Sequence, residues 1–464
     1  MLILGIWDGH DSGAALVEGD RIVFAANEER FTRRKLEVAF PVHSIREALK
    51  FAGVSPAEIS VVAISTSDFA KTLTRVFPGL KRRYYEIRRR KAEPSRFNLF
   101  GKKAKYVLTR IGPSAPARWI STVVVRKQLK KIGFRDFRLL WADHHMAHAA
   151  STVCTSPDAS GIVLSLDGIG DGLSGLIGTF DGGDIRILSK FKGRDSLGIF
   201  FEHVTNLLNM RELEDEGKVM ALASFAYPVP DDRNPLLGLF EVDGLRIKAR
   251  RGAAGLRRRL ARILYLHPTE QFAHMAQRVL ETAIVKLVEN AASATGRRRL
   301  AYAGGVASNI KVNMLLKNHP AIEGLHVFPH MGDGGLALGA ALSANLALDG
   351  AARVRMDQLF LGPAHGTADV ERALAAFPDL RFERPLDIAA RTAGLIAEGK
   401  IVLWYQGRME YGPRALGNRS ILARPGSARL KNELNIFLKK RVWYQPFCPT
   451  MLADAAEDVL RDYA

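Results

Sequence analysis

The sequence is poor in cysteine, which limits the kinds of site that it can build. Its 464 residues contain only Cys154 and Cys448, so neither a disulfide framework nor a cysteine-rich zinc site is available. No apolar run approaches the length that crosses a bilayer, and the opening MLILGIWDGHDSG has no basic region before its apolar residues. We therefore expect a first β-strand rather than a signal peptide, no membrane partner and a cytoplasmic location.

Acidic residues are also scarce relative to basic ones. The formal charge is +19, and the surplus lies mainly in two blocks, 81–112 (extended through 126–135) and 246–263. Such blocks fit either a nucleic-acid or anionic-substrate surface, or the solvated faces of ordinary helices. We favour solvated helices, because Tyr84, Tyr85, Phe97 and Phe100 are not spaced as base-stacking platforms are.

The chain has ample apolar material and more residues than one hydrophobic core usually holds. Hydrophobic residues make up 47% of it, which argues against disorder, and its length predicts two or three domains. Three short apolar runs (LILGIWD, SGAALVEG, RIVFAANEER), a helical pattern closed by Gly53 and the strand EISVVAIST follow one another. The same order returns after residue 160 in GIVLSLDGIGDG, LSGLIGTFDGG, DIRILSKF and RLAYAGGVASN. The sequence therefore predicts a duplicated α/β architecture with a ligand site between the copies.

The repeated pattern lapses after about residue 345, and a new helix–strand unit begins with DIAARTAGLIAEGK. We divide the chain into residues 1–365, with repeats at about 1–160 and 161–350, and a smaller part at 366–464. Because no low-complexity linker separates the two parts, the smaller part is expected to pack on the larger one.

Two glycine-containing turns stand at equivalent places in the two repeats. WDGHDSG (7–13) can offer backbone N–H groups and Ser12 to a phosphate, although Asp-Gly is also an ordinary hairpin turn. His10 is an unusual residue type for such a turn. The alternative interpretation is that it is simply a turn residue in contact with solvent. LDGIGDG (166–172) places Asp167 and Asp171 at a strand end, where acids either bind a cation or cap a turn.

Two further glycine-rich segments precede helices. In AGGVASN, Gly304 and Gly305 allow a nucleotide to approach the backbone, and Asn309 stands near a helix start. An ordinary β–α turn without a ligand explains the two glycines equally well. In PHMGDGG, Asp333 lies at a helix mouth, where it either ligates a metal or serves as an N-cap.

The segment WADHHMAHAA (141–150) carries His144 and His148 four positions apart, so both face one side of a helix while His145 points elsewhere. Alone, such a pair is more often structural than ligating. Together with Asp167 and Asp333 it would form a two-histidine, two-carboxylate site suited to a divalent ion. Spacing alone leaves open whether the four meet.

Several of these motifs together resemble the O-carbamoyltransferase family that modifies nodulation factors and antibiotics such as tobramycin, cephamycin and novobiocin. The resemblance spans nearly the whole chain and rests on GIWDGHDSGAAL (5–16), NEERFTRRKLEVAFP (27–41), HHMAHAAS (144–151), LSLDGIGDG (164–172), EDEGKVMALA (214–223), AGGVASNIKVN (303–313), GDGGLALGAAL (332–342) and RMEYGPRALGNRSILA (408–423). It implies an α/β fold with a duplicated actin-like (ASKHA) ATPase-type domain, followed by a partial YrdC-like α/β domain.

The resemblance also implies an ATP-dependent carbamoyl transfer. Carbamoyl phosphate and ATP would give a carbamoyl adenylate, from which the carbamoyl group passes to a hydroxyl of a small sugar- or antibiotic-like acceptor. His144, His148, Asp167 and Asp333 would hold a divalent ion, with Fe²⁺ expected and Mg²⁺ accompanying ATP. His10 would be the base and Lys218 would neutralise charge, while Ser12, Gly304, Gly305 and Asn309 would frame the nucleotide.

In the smaller part, the resemblance assigns the phosphate of carbamoyl phosphate to four cations, Arg414, Arg419, Lys439 and Arg441. Val442 and Gln445 depart from the family, which tends to carry an acid and an arginine there. The family also usually continues beyond Ala464, so a partner chain supplying the rest of the YrdC-like domain is one alternative. A tRNA-modifying carbamoyltransferase and a nucleotide-binding subunit without complete adenylation are the others.

Overall fold

The structure is a computed structural model that describes residues 1–93, 108–250, 253–349 and 353–461. Its strands are β1 (Leu2–Trp7), β2 (Gly13–Glu18), β3 (Arg21–Asn27), β4 (Val61–Ser65), β5 (Arg138–Ala142), β6 (Ser160–Gly170), β7 (Leu173–Asp181), β8 (Asp184–Lys192), β9 (Phe240–Asp243), β10 (Arg246–Ala249), β11 (Arg299–Ala303), β12 (Gly324–Val327), β13 (Val402–Tyr405) and β14 (Arg419–Leu422).

The α-helices lie between and after these strands. They are α1 (Glu29–Thr32), α2 (Val42–Ala52), α3 (Phe69–Val76), α4 (Pro78–Arg88), α5 (Ala115–Ile132), α6 (His144–Thr155), α7 (Leu197–Leu207), α8 (Glu216–Leu222), α9 (Ala253–Leu266), α10 (Thr269–Thr295), α11 (Ile310–Lys317), α12 (Leu336–Asp349), α13 (Thr367–Ala375), α14 (Ile388–Ala397), α15 (Ala428–Asn432) and α16 (Ala456–Val459). Among the described residues, no helix combines the length and the apolarity needed to cross a bilayer.

Two five-stranded sheets share one topology. The first has the order β3-β2-β1-β4-β5 and the second the order β8-β7-β6-β11-β12. In each, the first three strands form an antiparallel meander, and the last two run parallel to the first strand. The predicted duplicated α/β architecture is therefore confirmed. β5 and β12 were not predicted, because each is short and only partly buried.

The two repeats are joined by an exchange of helices. α6 follows the first sheet but packs against β6 and β11 of the second, whereas α12 follows the second sheet and packs against β1, β2 and β4 of the first. α6 and α12 also pack on each other. Their close approach needs a small residue, since a Cβ added at Gly339 would lie 2.2 Å from the carbonyl oxygen of Ala147. This crossing brings the starts of both helices into the cleft between the repeats.

The smaller part, 366–464, packs on the larger one, as the lack of a linker predicted: Arg30 donates to the carbonyl of Gly412, and Arg408 donates to the carbonyl of Val23. The segment around residue 360 joins the two parts. The N–H of Gly362 donates to the carbonyl of Met409, and the N–H of Tyr411 donates to the carbonyl of Leu359. On its other side, the N–H of Ala25 in β3 donates to the carbonyl of Leu361. Tyr411 is 2% exposed and belongs to the apolar core that contains α12. Further along, the helix predicted at 387–400 is present as α14. The last described helix is α16, and residues 462–464 lie outside the described residues.

Candidate functional site

Four side chains from distant parts of the sequence converge in the cleft between the repeats. His144 Nε2 lies 3.1 Å from Asp167 Oδ2 and 3.6 Å from Asp333 Oδ1. His148 Nε2 lies 3.6 Å from each of the same two oxygens. One ligand atom from each residue therefore falls within 4.8 Å of every other, which is a spacing that a single ion could span.

Local backbone structure explains why the four side chains meet. His144 and His148 occupy successive turns of one face of α6, whose start points into the cleft. Asp167 lies in β6 where the pairing with β7 shifts register between Leu166 and Gly170, so the strand bulges at the acid. Asp333 follows Gly332 in the turn that leads into α12. Three of the four side chains thus lie in, or directly before, the two exchanged helices.

The burial and chemistry of the cluster fit a divalent metal ion. His148 Nε2 and Asp333 Oδ1 are buried, and neither atom has a hydrogen-bond partner among the described residues. Buried polar atoms without partners are costly, and an ion between them would satisfy both. Two imidazoles and two carboxylates are a suitable donor set for Fe²⁺, Mn²⁺ or Zn²⁺. The N-cap position of the turn Asp333–Gly335 is Gly332, so Asp333 is not its N-cap residue.

Neighbouring groups hold the His144 ring and Asp167 in place. The Oγ1 of Thr66 lies 3.0 Å from His144 Nδ1, so Nε2 is the nitrogen left facing the carboxylates. Asp167 Oδ1 accepts a hydrogen bond of 3.1 Å from the N–H of Gly305. Asp171 accepts from the backbone N–H of His144 at 2.9 Å and from that of Ser67 at 3.1 Å, so it caps α6 rather than binding an ion.

Thr66 was missed in the sequence because nothing around it looks unusual there. In the structure its φ is 69°, in the left-handed region that a β-branched residue seldom adopts. Its N–H donates to Ala142, and its carbonyl accepts a hydrogen bond of 2.9 Å from Arg75. This unusual conformation is therefore held by surrounding contacts and directs the hydroxyl at His144.

His145 points away from the cluster, as the helical spacing predicted. Its Nδ1 lies 2.9 Å from Ser165 Oγ, and its Nε2 lies 3.1 Å from the carbonyl oxygen of Leu173. Burial, together with the neighbouring His144 and His148, lowers the pKa of His145 to about 3, so the ring is neutral. His145 therefore packs α6 against the second sheet.

His10 lies at the edge of the cluster, with its Nδ1 3.5 Å from Asp333 Oδ2 and its side chain 22% exposed. Burial lowers the pKa of His10 to about 4, although Asp333 and Asp167 oppose this shift. The imidazole is therefore neutral at physiological pH and has a nitrogen able to accept a proton. The ring also faces Tyr85, at 5.3 Å between centroids.

Two cavities meet at the cluster. The first, of about 270 Å³, is lined by Gly305, Val306 and Asn309 and reaches Pro413 on the far side. The second, of about 160 Å³, lies under α3 and α4 and is lined by Lys71, among others. His10, Asp167, Glu202 and Asp333 line both cavities. The cluster thus stands where two bound molecules could touch.

The residues predicted to frame a nucleotide differ in where they lie. Gly305 and Asn309 line the first cavity. Gly304 is buried behind it and has φ 95°, and a Cβ there would lie 2.1 Å from the carbonyl oxygen of Leu166. The buried Ser12 and the half-buried Lys218 are not among the lining residues of either cavity. Lys218 instead pairs with Asp215 at 2.7 Å.

The oxygen of the Asn309 side chain is already engaged. Asn309 Oδ1 accepts hydrogen bonds from the N–H of Val312 and from Gln277, and so caps α11. Its Nδ2 donates to Gln277 Oε1 at 2.8 Å. Asn309 therefore shapes the cavity wall and the start of α11.

The four cations predicted in the smaller part do not form one cluster around either cavity. The Arg419 guanidinium donates to the carbonyls of Gln406, Gly407 and Asn418 and stacks over Tyr405 at 3.5 Å. Arg441 donates to Asn435 Oδ1, and its pKa is lowered by burial and by the nearby charge of Arg414. Arg414 and Lys439 are exposed.

Much of the first basic block faces inward. Arg88 pairs with Glu202 and Glu212, and Arg89 pairs with Glu214. Residues 94–107, with Phe97 and Phe100, and residues 251–252 of the second block lie outside the described residues. In the described part of the first block, these two arginines bind the second repeat rather than solvent.

The fold and the cluster together define a class of protein. Two α/β repeats of one topology with exchanged helices form the duplicated arrangement of actin-like folds, and a candidate divalent-metal centre lies between them. The sequence matches the family described as Carbamoyltransferase N-terminus over residues 2–342 and Carbamoyltransferase C-terminus over residues 393–464. The chain belongs to the carbamoyltransferase family, as the motifs predicted.

Proteins of several organisms are similar in sequence to this chain. The chain is 32% identical to nodulation protein NolNO of Sinorhizobium fredii over 97% of its own length, and it spans 63% of that protein. It is 37% identical to nodulation protein NolO of Bradyrhizobium diazoefficiens over 68% of its length, covering 59% of that protein. An uncharacterised protein of Methanocaldococcus jannaschii is 30% identical over 99% of the chain and 80% of that protein.

Solved structures show weaker likeness. A crystal structure of full-length HypF in its phosphate- and nucleotide-bound form aligns with 76% of this chain and 47% of its own, at 14% identity and a TM-score of 0.45. Component A of (R)-2-hydroxyglutaryl-CoA dehydratase from Acidaminococcus fermentans aligns with 76% of this chain and all of its own, at 14% identity and a TM-score of 0.40.

Proposed function

We propose that the chain transfers a carbamoyl group from a carbamoyl adenylate to a hydroxyl of a small acceptor, at the cluster where the two cavities meet. Family membership supports the reaction class. The observation that carries the proposal is the position of His10, Asp167 and Asp333, which line both cavities. Groups shared by two cavities can act on a donor in one and an acceptor in the other.

His144, His148, Asp167 and Asp333 would hold the divalent ion, for which Fe²⁺ is our choice. Bound there, the ion would act as a Lewis acid toward the carbonyl or the phosphate of the adenylate. The chain itself keeps the four ligand atoms together: Thr66 orients His144, and the N–H of Gly305 orients Asp167. These contacts preorganise the site before any ligand arrives.

The first cavity is the side proposed for the adenylate. Gly305 and the residues that follow it give a wall without bulky side chains, and the N-terminus of α11 lies close by. Backbone N–H groups at a helix start favour a phosphate. Mg²⁺ accompanying ATP would enter bound to the nucleotide. Among the described residues, no second cluster of histidine, cysteine or acidic side chains is a candidate site for it.

The second cavity is the side proposed for the acceptor. Tyr84 and Tyr85 give it aromatic surface, while Lys71 and Glu202 give it polar groups. Aromatic faces beside hydrogen-bonding groups suit a polyhydroxylated molecule such as a sugar. The acceptor hydroxyl would attack the carbamoyl carbon, the bond from that carbon to the adenylate oxygen would break, and AMP would leave. The hydroxyl proton would pass to the neutral imidazole of His10.

Formation of the adenylate is the second half of the proposal. Carbamoyl phosphate would lose phosphate to water, and the resulting carbamate would attack the α-phosphorus of ATP with loss of pyrophosphate. We assign this step to the C-terminal part, taken as a partial YrdC-like domain, with Arg414 and Lys439 as the exposed cations there. Because Arg419 and Arg441 already hold protein oxygens, a partner chain that makes the adenylate is the second candidate.

Two assays separate these candidates. The full chain with Fe²⁺, carbamoyl phosphate and ATP should exchange labelled pyrophosphate into ATP, and hydroxylated acceptors should gain the mass of one carbamoyl group. Transfer from supplied carbamoyl adenylate without pyrophosphate exchange would favour the partner chain. No transfer from supplied adenylate to any acceptor tested would overturn the proposed function.

Variants test the metal cluster. His148→Ala and Asp333→Asn each remove one ligand, and we expect each to weaken Fe²⁺ binding and transfer by more than about hundredfold, since even outer contacts of a metal site cost 10–100-fold. The matched control is His365→Ala, at an exposed histidine in the C-terminal part. Metal analysis showing a stoichiometric ion in both ligand variants would remove the cluster from the mechanism.

A further inference from the structure

We propose that Tyr411 is a positioning residue for Asp333, and so extends support of the metal centre to the C-terminal part of the chain. The inference rests on the metal site proposed above. Tyr411 OH donates a hydrogen bond of 2.9 Å to the carbonyl oxygen of Gly334, the residue that follows the ligand. Tyr411 is 2% exposed, and its ring lies edge-on to His330 at 4.7 Å between centroids.

Asp333 depends on its backbone for its position more than Asp167 does. Asp167 Oδ1 is held by the N–H of Gly305, and the Asp167 carbonyl accepts a hydrogen bond from Ser196. Asp333 Oδ1 has no hydrogen-bond partner among the described residues, and Asp333 Oδ2 has only a long contact with His10 Nδ1, at 3.5 Å. The direction of that carboxylate is therefore set by the turn in which it lies.

Two donors from different parts of the chain fix that turn. The Gly334 carbonyl accepts from Tyr411 and also from Asn27 Nδ2 at 3.2 Å, and the same Asn27 nitrogen donates to Asp11. Asn27 Oδ1 lies 2.9 Å from His330 Nε2. The turn is crowded as well, since a Cβ at Gly334 would lie 2.2 Å from Asp11 Oδ2.

Tyr411 is itself held firmly in the C-terminal part. Its N–H donates to Leu359 at 2.8 Å, and the carbonyl of the next residue, Gly412, accepts from Arg30 at 3.1 Å. Glu410, 5% exposed, accepts from the backbone N–H groups of Leu416, Asn418 and Arg419. The hydroxyl that reaches Gly334 therefore comes from an ordered loop.

The test compares the Fe²⁺ affinity of the full chain, by anaerobic calorimetry, with that of Tyr411→Phe. This change removes only the hydroxyl and keeps the buried ring. We expect an unchanged circular dichroism spectrum without metal and Fe²⁺ binding weakened about tenfold, as for other supports of metal ligands. The matched control is Tyr405→Phe, 53% exposed in the same part, which should keep the wild-type affinity.

If Tyr411→Phe does not fold, Arg30→Met serves instead, because it loosens the same loop at Gly412 from outside the core. We expect about threefold weaker Fe²⁺ binding, a smaller loss than for Tyr411→Phe, because Arg30 acts on the loop and not on the turn that carries Asp333. Wild-type affinity in a folded Tyr411→Phe protein would overturn the positioning role and leave the metal site intact. Absence of Fe²⁺ binding in the wild-type chain would instead overturn the metal site, and this inference with it.

Discussion

The two repeats share a strand order but bring opposite charges to the cleft. The first places cations there from α3 and α4, including Lys71, Lys81 and Arg88. The second places carboxylates there, including Glu202 and Glu212 of α7 and the loop that follows it. The difference lies in the connections between strands, while the sheets themselves match. In this molecule the duplicated sheets fix where the site is, and the inserted helices fix its charge.

The cations of the first repeat are not free charges. Asp8 binds Arg75 through two hydrogen bonds, at 2.8 and 2.9 Å, and Lys71 at 3.0 Å. Arg75 in turn holds the Thr66 carbonyl, and Thr66 contacts His144. An internal ion cluster of the first repeat thus reaches the candidate metal site through Thr66. The carboxylates Glu202 and Glu212 of the second repeat instead pair with Arg88, which lies across the cleft. Three substitutions test this contrast.

The largest effect is expected for Asp8→Asn. The carboxylate is 5% exposed and Arg75 is 3% exposed, so the change leaves buried cations without their counter-charge. Removing one member of such a cluster costs about 4 kcal/mol of unfolding free energy. Urea denaturation at pH 7 measures it, with the exposed Asp136→Asn as control. A loss equal to that of the control would mean that the cluster contributes nothing to stability.

The same pair of proteins gives a pH test. Although burial raises the pKa of Asp8, Arg75 and Lys71 lower it more, so in the folded chain it lies well below its usual range. The unfolded chain therefore takes up the proton first, and the stabilisation is fully present above about pH 5 and declines as the pH falls below about 4. The stability gap between wild type and Asp8→Asn should narrow over that acid range.

An intermediate effect is expected for Arg88→Met, which removes one set of ion pairs between the repeats. Glu202 and Glu212 lose the guanidinium of Arg88, but burial already raises the pKa of Glu202 to about 8, so this acid can take up a proton rather than keep a buried charge. We expect a loss of about 2 kcal/mol, below that of a fully buried pair. Arg278→Met, at the more exposed pair with Asp231, is the control and should cost about 0.5 kcal/mol. If the two variants lost equal amounts of unfolding free energy, Arg88 would not stabilise the contact between the repeats.

The smallest effect is expected for Thr66→Val, which keeps the side-chain shape and removes the contact with His144 Nδ1. Fe²⁺ affinity should fall about tenfold, because the ring loses the group that orients it. Calorimetry measures this, and Thr282→Val on α10 is the control, since its hydroxyl bonds only within that helix. An unchanged Fe²⁺ affinity of Thr66→Val would mean that the ion cluster of the first repeat does not influence the candidate metal site.

Much of the fold follows from local sequence pattern. Apolar runs and turn residues predicted the six meander strands, and Gly53 ends α2 as predicted, in a left-handed conformation. The predicted third strand ends earlier, because residues after Asn27 turn into α1. Charge was harder to interpret: Arg88 and Arg89 look like surface residues in the sequence, and their acidic partners lie more than a hundred positions away.

The sequence by itself determined the duplicated α/β architecture, the family and the four residues of the candidate metal cluster, because strand periodicity, helical spacing and long motifs are local properties of the chain. Only the tertiary structure decided that these four residues meet, since the meeting depends on α6 and α12 each packing on the other repeat. It also decided that Ser12 and Lys218 lie away from the cavity walls, that Thr66 contacts His144 and that Tyr411 contacts the turn that carries Asp333. Hydrogen bonds between distant segments leave no periodic trace in the sequence, and they emerge only when the repeats pack.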